Sequence, residues 1–488
     1  MSQHDMRSTV RPDPDQSMAD IADYVADYRV DSREAYDTAR HMLLDSLACA
    51  MLAMEFPECV RHLGPVVPGA TMQGGVRVPG TCHELDPVQG AFAIGTQIRW
   101  LDFNDTWLAA EWGHPSDNLG TILSVADYLS RKARRDAGKA VTVRDVLTAA
   151  IKAHEIQGGY ALLNSFNQVG LDHVILVRLA STAVATWMLG GGKQQIINAV
   201  SNSWIDNGTL RTYRHAPNTG PRKSWAAGDA CRRAVIHALN AVNGETGYPS
   251  ALSAQTWGFY DTAFKGREFR FERPFGSYVM ENVLFKISFP AEFHAQTAVE
   301  CAMALHPQVK DRIGEIGKIV LETQAAGVRI IDKTGPLANH ADRDHCLQYM
   351  VAVPLIFGRL TADDYGDAVA ADPRIDALRG LMEVRENPRF TRDYFDPGKR
   401  YIGNSVQVFF KDGGSTDRIS VDFPIGHRER RAEGIPVLMA KCEAALRSHL
   451  PTGRVDRIMA LAADPARLDA LPADAFMNLY WGSEGQDY

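Results

Sequence analysis

Helical periodicity is the feature that most constrains this 488-residue chain. From Ser17 to about Gly266, apolar residues recur three and four positions apart, as in the stripe of Leu43, Leu47 and Met51. Such stripes are stable only when they are buried against other helices, so this part of the chain is expected to be a packed helical domain. The pattern predicts helices over Asn118–Ser130, Val143–Leu163, Val174–Leu189 and Ser224–Asn243, with Ser224 as the N-cap of the last one.

The pattern changes near Arg267, where runs typical of β-strands begin to alternate with helical segments. The strand-like runs are Ile316–Thr323, Val328–Ile331, Ser405–Phe410 and Asp417–Phe423, and Lys411–Gly414 predicts a hairpin turn between the last two. From about Gly426 helical periodicity returns. We therefore predict a mainly α fold, in which a large all-helical domain (residues 1–273 and 425–488) is interrupted by a smaller α+β domain (residues 274–424). The cleft between two such domains favours a small ligand.

Charge and cysteine positions exclude several classes of function. A formal net charge of −7 argues against nucleic acid or an anionic membrane as the main partner, although a basic pocket for a small anion remains compatible with it. The seven cysteines form no CxxC pair, which is typical of reduced thiols rather than of an iron–sulfur cluster or structural zinc. The first sixteen residues lack the apolar core of a signal peptide, and no apolar run approaches about 18 residues. We therefore expect a soluble, cytoplasmic protein.

A dense polar cluster between Asp102 and Ser116 is the strongest functional signal in the chain. It combines carboxylates, the Thr106 hydroxyl and the His114 imidazole within one short stretch. Proton transfer requires such a set, because a histidine that titrates near neutral pH must be held in one tautomer by its partners. We interpret His114 as an acid or base, with Asp102 and Thr106 as orienting or substrate-binding groups. The alternative is structural, with the same residues forming a helix cap and a turn.

Two further features add acid–base and anion-binding groups. His173 precedes the helix predicted from Val174, where the positive end of the helix dipole favours a neutral imidazole that can act as a base, although a helix cap or a surface residue is the alternative. The turn before Ser224 places Arg222 and Lys223 at the start of another predicted helix, where they form either a carboxylate or phosphate site or a solvated basic turn. Positive charge in the same loop is increased by Arg211, Arg214 and His215.

Lys286 and Tyr349 complete the set of candidate residues. Lys286 lies among apolar residues, and it is either a buried counter-ion for a substrate carboxylate or a residue with its ammonium in solvent. Tyr349 lies on an apolar predicted helix, where its phenol is useful only if it faces the cleft. The stretch His340–His345 lacks the spacing of a metal site, and no nucleotide-binding or hydrolase motif is present, so we expect neither a metal nor another cofactor. Together these groups suit a dehydratase, which removes a proton beside a carboxylate and protonates a departing hydroxyl.

The run from Arg99 to Asn118 resembles the signature of the MmgE/PrpD superfamily. The other motifs follow in the same order over nearly the whole chain: Asp172-His173, Gly220-Pro221-Arg222-Lys223, Phe285-Lys286, Phe289-Pro290-Ala291 and Gln348-Tyr349. The resemblance implies that the smaller α+β domain is a lid and that the active site lies between it and the helical domain. It also implies a homodimer formed through the helical domain.

The resemblance further implies an activity and a set of residue roles. The implied reaction is the metal-independent dehydration of 2-methylcitrate to 2-methyl-cis-aconitate in propionate breakdown, with citrate as a slower substrate. The implied catalytic residues are His114, His173, Asp102, Thr106 and Tyr349, and the implied substrate-binding residues are Lys223, Arg222 and Lys286. Which histidine is the base stays open.

Two alternatives to this function are kept. The same residues would serve a decarboxylase or isomerase of a related tricarboxylate such as cis-aconitate. The alternative from another class is a non-catalytic helical scaffold that binds a metabolite in the cleft. Two departures from the decarboxylase pattern bear on the choice: the spacing from Thr106 to His114 is longer, and the histidine after Phe289-Pro290-Ala291, His294, is displaced.

Overall fold

A computed structural model describes residues 9–206, 209–215 and 217–482. The prediction of a mainly α fold is confirmed, because helices dominate these residues and the strands form only small sheets. No helix in this part of the chain is long and apolar enough to cross a membrane. Residues 1–8 of the polar N-terminal segment lie outside the described residues.

Helices build most of the described region before residue 283, as its apolar periodicity predicts. Polar side chains cap the starts of some of them: Ser32 accepts a hydrogen bond from the Ala35 amide, and Thr142 and Asp145 form a reciprocal capping box. The helices are α1 (Gln16–Asp27), α2 (Arg33–Leu52), α3 (Pro57–Val60), α4 (Pro87–Arg99), α5 (Leu119–Arg135), α6 (Val143–Leu163), α7 (Val174–Met188), α8 (Lys193–Ile205), α9 (Arg222–Val242), α10 (Phe259–Ala263) and α11 (Tyr278–Asn282). Two antiparallel pairs join them: β1 (Val76–Arg77) with β2 (Glu84–Leu85), and β3 (Trp107–Leu108) with β4 (Trp112–Gly113).

Glycines allow α4, α5 and α9 to cross closely. A side-chain carbon on Gly120 would lie 2.7 Å from the Cα atom of Gly95, and one on Gly95 would lie 3.0 Å from the Cα atom of Gly228. Any larger residue would therefore force the helices apart. This crossing positions the polar cluster Asp102–Ser116, because the loop that carries it joins the end of α4 to the start of α5.

A second apolar core surrounds a four-stranded sheet with the order β6-β5-β7-β8. β5 pairs in parallel with β6 and antiparallel with β7, and β7 continues into β8 through the predicted hairpin. The predicted strand Ile316–Thr323 is confirmed with the same bounds. The elements are α12 (Gln296–Val309), β5 (Ile316–Thr323), α13 (Ala325–Ile331), α14 (His340–Arg343), α15 (Leu347–Phe357), α16 (Asp367–Ala370), α17 (Pro373–Arg379), β6 (Met382–Glu386), α18 (Pro388–Phe395), β7 (Asn404–Phe410) and β8 (Ile419–Val421).

Two local predictions are wrong. Val328–Ile331 is not a strand but the end of α13, and periodicity cannot separate so short an apolar run from a helical one. Ser224 does not cap α9, because the helix begins two residues earlier at Arg222, after Pro221. The fixed φ angle of proline suits a helix start, so the turn into α9 comes before the serine.

The C-terminal helices pack against the first apolar core, which is formed mainly by the helices before residue 283. They are α19 (Arg431–Arg447), α20 (Thr452–Ala462), α21 (Pro465–Ala470) and α22 (Ala473–Asn478). Leu438 and Phe476 belong to the same apolar cluster as Leu47 of α2. From α19, the Lys441 ammonium donates to the backbone carbonyls of Phe103 and Lys286, at 2.8 and 2.7 Å. This lysine therefore ties together the two segments that carry Asp102 and Lys286.

Candidate active site

A cavity lies between the two apolar cores, and both contribute to its lining. The side that precedes residue 274 supplies Arg99, Asp102, Thr106, Leu108, Trp112, His114, His173, Arg211, Arg214 and His215. The side that follows supplies Lys286, Glu292, Phe293, Ile330, Lys333 and His345. The structure thus brings together five of the eight predicted site residues: Asp102, Thr106, His114, His173 and Lys286.

Asp102 is held at the centre of a cluster of cations. Its backbone has a φ of 53°, in the left-handed region that a non-glycine residue rarely adopts, and such strain is often found at functional sites. Its Oδ1 atom lies 2.8 Å from Nη1 of Arg99 and 2.7 Å from Nζ of Lys286. Burial alone would raise the pKa of Asp102, but the charges of Arg99 and Lys286 hold it well below its ordinary value. Asp102 is therefore a permanent carboxylate.

Thr106 connects this cluster to the segment that carries Lys286. Its amide donates to the carbonyl of Leu284, and the Leu284 amide donates back, at 2.8 and 2.9 Å. The Thr106 hydroxyl donates to the carbonyl of Gly113 at 3.2 Å. The hydroxyl therefore holds the two sides of the loop before His114 together, while it also lines the cavity.

His114 is oriented by oxygen atoms on both sides of its ring. Nδ1 lies 2.7 Å from the backbone carbonyl of Asp105, so this nitrogen carries a proton, and Nε2 lies 3.3 Å from Oδ1 of Asp102. The Asp105 side chain is fixed in turn by the Ser116 amide and by Nε2 of His154, at 3.0 and 2.9 Å. Burial, and then the charge of Arg99, lower the pKa of His114 well below its ordinary value, although Asp102 opposes them. In the free protein His114 is therefore neutral.

His173 lines the same cavity. Neither ring nitrogen makes a hydrogen bond with a described residue, although Nδ1 lies 3.5 Å from Oδ1 of Asp172, and the ring centroid lies 6.0 Å from that of His114. Behind it, the carboxylate of Asp172 pairs with Nε of Arg214 at 2.5 Å and with Nη1 of Arg211 at 3.5 Å. Burial lowers the pKa of His173 well below its ordinary value, and the two arginines add to this against the charge of Asp172. A buried, neutral imidazole whose Nε2 has no partner among the described residues is suited to accept a proton.

Lys223 is placed behind the cavity rather than on its surface. Its ammonium lies 2.6 and 2.7 Å from the two carboxylate oxygens of Asp344 and 3.2 Å from Nδ1 of His345. His345 itself lines the cavity. Lys223 thus joins α9 to the segment after α14, and it acts on the cavity through His345.

The structure does not bring Arg222 and Tyr349 to the cavity. The Arg222 side chain is 41% exposed, pairs with Asp229 and lies over the ring of Trp225. Tyr349 is buried in the second core, where its hydroxyl donates to the carbonyl of Asp364 at 2.6 Å. Burial raises the pKa of Tyr349 to about 12, which makes its phenol a weak acid. The predicted roles of these two residues are therefore not supported by their positions.

Sequence reasoning did not assign roles to several residues of the cavity. Arg99 lies inside the quoted signature but carried no separate signal, and His345 was considered only as a metal ligand. Glu292 lines the cavity and fixes His294, whose Nδ1 lies 2.8 Å from its Oε1. Among the described residues, no group of three or more His, Cys, Asp or Glu side chains is arranged to hold a metal ion.

The two sides of the cavity correspond to two family models. The MmgE/PrpD N-terminal domain matches residues 19–272, and the MmgE/PrpD C-terminal domain matches residues 289–464. The chain belongs to the MmgE/PrpD family. Within this family assignment, both histidines lie in the N-terminal match, Glu292 and Lys333 lie in the C-terminal match, and Lys286 falls between the two.

Relatives within the MmgE/PrpD family are similar over almost their whole length. The 2-methylcitrate dehydratase of Salmonella typhimurium is 60% identical over 475 residues, which cover 96% of this chain and 98% of the relative. The 2-methylcitrate dehydratase of Escherichia coli K12 is 58% identical over 476 residues, or 97% of this chain and 99% of the relative. The mitochondrial 2-methylcitrate dehydratase of Yarrowia lipolytica is 57% identical over 480 residues, or 97% and 92%.

Proposed function

We propose that this chain is a lyase that dehydrates 2-methylcitrate to 2-methyl-cis-aconitate. The relatives named above carry that activity in their names, and they are similar along nearly all of this chain. The observation that carries the proposal is the pair of buried histidines, His114 and His173, facing one cation-rich cavity. Acid–base chemistry on a small polyanion is what such a pair supports best.

The charge of the cavity suits a tricarboxylate. The arginines and lysines that line it are Arg99, Arg211, Arg214, Lys286 and Lys333, whereas the carboxylates that line it are Asp102 and Glu292. Even with Asp172 behind Arg214, positive charge exceeds negative charge. A substrate with three carboxylates neutralises this excess, and its carboxylate oxygens can pair with lysine and arginine donors. Lys286 and Arg211 are therefore assigned to substrate binding, whereas Lys223 positions His345.

The geometry favours His173 as the base and His114 as the acid. His173 takes the proton from the carbon beside a carboxylate, and the electron pair left on that carbon then forms the double bond as the C–O bond breaks. The leaving hydroxyl takes a proton from His114 and departs as water. Both nitrogens of His114 face oxygen acceptors, which suits an imidazolium, and the negative charge of the bound substrate raises its pKa toward the protonated form.

The test is the ultraviolet absorbance of a conjugated alkene acid when chelator-treated protein is mixed with 2-methylcitrate. A rising absorbance without release of carbon dioxide is expected. Release of carbon dioxide from a tricarboxylate such as cis-aconitate would favour a decarboxylase, and binding of 2-methylcitrate without any product would favour a non-catalytic scaffold. Activity that returns only after addition of a metal ion would overturn the cofactor-free mechanism.

Assembly and location are also part of the proposal. The resemblance to the superfamily supports a homodimer formed through the helical region, which light scattering on the purified protein tests. The same resemblance supports a cytoplasmic enzyme. The division into a helical domain (1–273 and 425–488) and a lid (274–424) stays a prediction, which limited proteolysis tests.

A further inference from the structure

Lys333 is a residue of the cavity lining whose ammonium makes no hydrogen bond or ion pair with any described residue. Its Nζ atom is buried, and the residue itself contributes to the lining of the cavity. The other cations differ: Lys286 and Arg99 share Asp102, while Arg214 pairs with Asp172. Keeping an ammonium away from water without a counter-ion is costly, so an anion that enters the cavity and pairs with Lys333 is favoured.

The backbone of Lys333 is held independently of its side chain. Its amide donates to Oε1 of Gln348 at 3.3 Å, and its carbonyl accepts from Sγ of Cys346 at 3.7 Å. Gln348 is fixed in turn, because its Nε2 donates to Asp332 at 2.6 Å. These contacts anchor the segment after α13 to the start of α15, so the free ammonium is not needed to hold the loop.

The electrostatic influence of Lys333 reaches the opposite side of the cavity. Burial, and then the charges of Arg211 and Lys333, lower the pKa of His215, which lines the same space. A positive charge from the C-terminal side thus adds to the arginines of the N-terminal side. An anion between them would be held from both directions.

We propose that Lys333 binds one carboxylate of the substrate and makes the site selective for tricarboxylates over substrates with fewer carboxylates. The inference rests on the proposed function. It extends that function by giving one substrate carboxylate a cation of its own, Lys333, in the segment after α13. Arg99 and Lys286, which pair with Asp102, are then not needed for that carboxylate. Neither the signature motifs nor their spacing pointed to this residue.

The experiment uses tricarballylate, a tricarboxylate that has no hydroxyl to lose, as the probe in titration calorimetry. Lys333→Met keeps the length of the side chain and removes its charge, so the dissociation constant is expected to rise about tenfold or more. Lys333→Arg retains the charge and is expected to recover part of that loss. The matched control is Lys310→Met, which removes an exposed lysine at the end of α12 and should leave binding unchanged.

Turnover of 2-methylcitrate distinguishes failure of the Lys333 inference from failure of the proposed function. We expect Lys333→Met to raise KM more than it lowers kcat. Equal affinity of Lys333→Met and wild type for tricarballylate, with normal wild-type turnover, would overturn the inference and leave the proposed function intact. Absence of both tricarballylate binding and turnover in the wild type would overturn the proposed function itself. Lys333→Gln replaces the methionine variant if thermal unfolding shows that the latter is not folded.

Discussion

The two sides of the cavity differ in how their charges are balanced. On the N-terminal side, Arg99 and Arg214 are paired with Asp102 and Asp172, so the charged groups stay in place without a ligand. On the C-terminal side, the Lys333 ammonium has no partner among the described residues. The N-terminal side is therefore preorganised for proton transfer. The C-terminal side instead carries an unpaired positive charge that an anion can neutralise.

Besides the pair of Asp102 and Lys286, a bridge of buried charge through Lys223 connects the two sides. Lys223 of α9 pairs with Asp344, and both contact His345. Burial and the charge of Lys223 lower the pKa of His345 from its ordinary value. The bridge therefore fixes the position of His345, a cavity residue of the C-terminal side, and favours its neutral form.

Removing either histidine of the N-terminal side should have the largest effect. We expect His173→Asn and His114→Asn each to lower kcat by about 10²- to 10⁴-fold, the range for loss of a general acid or base. In deuterated water, His114→Asn should still exchange the α-proton of 2-methylcitrate, because the base remains, whereas His173→Asn should not. Proton NMR of the recovered substrate measures this exchange. The reverse pattern would exchange the two assigned roles.

Breaking the bridge between the sides should have a smaller effect. Lys223→Met leaves Asp344 buried without its cation, so we expect KM for 2-methylcitrate to rise and kcat to fall, each by about tenfold. Arg222→Met is the matched control, because this neighbour points away from the cavity and should change neither value by more than about twofold. Steady-state kinetics of the two variants decide the matter. Similar losses in both would mean that the start of α9, rather than the bridge, is what matters.

The dependence on pH should sharpen the assignment of the base. Because the pKa of His173 lies well below its ordinary value, the neutral form persists as the pH falls, and protonation requires more acid than usual. The acid limb of kcat/KM should therefore lie below about pH 6.5, the ordinary value for histidine. A profile of kcat/KM against pH at constant ionic strength measures it. A limb at or above that pH would contradict a base buried among arginines.

Tyr349 should give the smallest effect on activity. Tyr349→Phe removes the hydroxyl that donates to Asp364 and leaves that carbonyl without its partner. We expect a loss of about 1 kcal/mol in the free energy of unfolding and a change in kcat/KM of less than about twofold. Urea denaturation and steady-state kinetics are the measurements. A large loss of turnover in a stable Tyr349→Phe protein would return the phenol to the reaction.

Features that a long local pattern specifies were predicted correctly from the sequence, whereas features with a short or non-local signal were not. Helix α6 has the predicted bounds, Val143–Leu163, because a long apolar periodicity and the cap at Thr142 act within the segment itself. The short run Val328–Ile331 was predicted wrongly, since four apolar residues do not specify a period. Asp102 and His114 were found because they lie close together in the chain.

The sequence by itself determined the helices, the alternating strands and the presence of an acid–base cluster at Asp102–Ser116, since each depends on residues a few positions apart. Only the tertiary structure decided which cations face the cavity. It turned Arg222 outward and Tyr349 into the second core, and it left the Lys333 ammonium without a partner among the residues that the structure describes. Whether a charge is paired depends on groups that are distant in the chain. It also depends on burial, because burial strengthens electrostatic interactions, and local sequence patterns do not show which charges become buried.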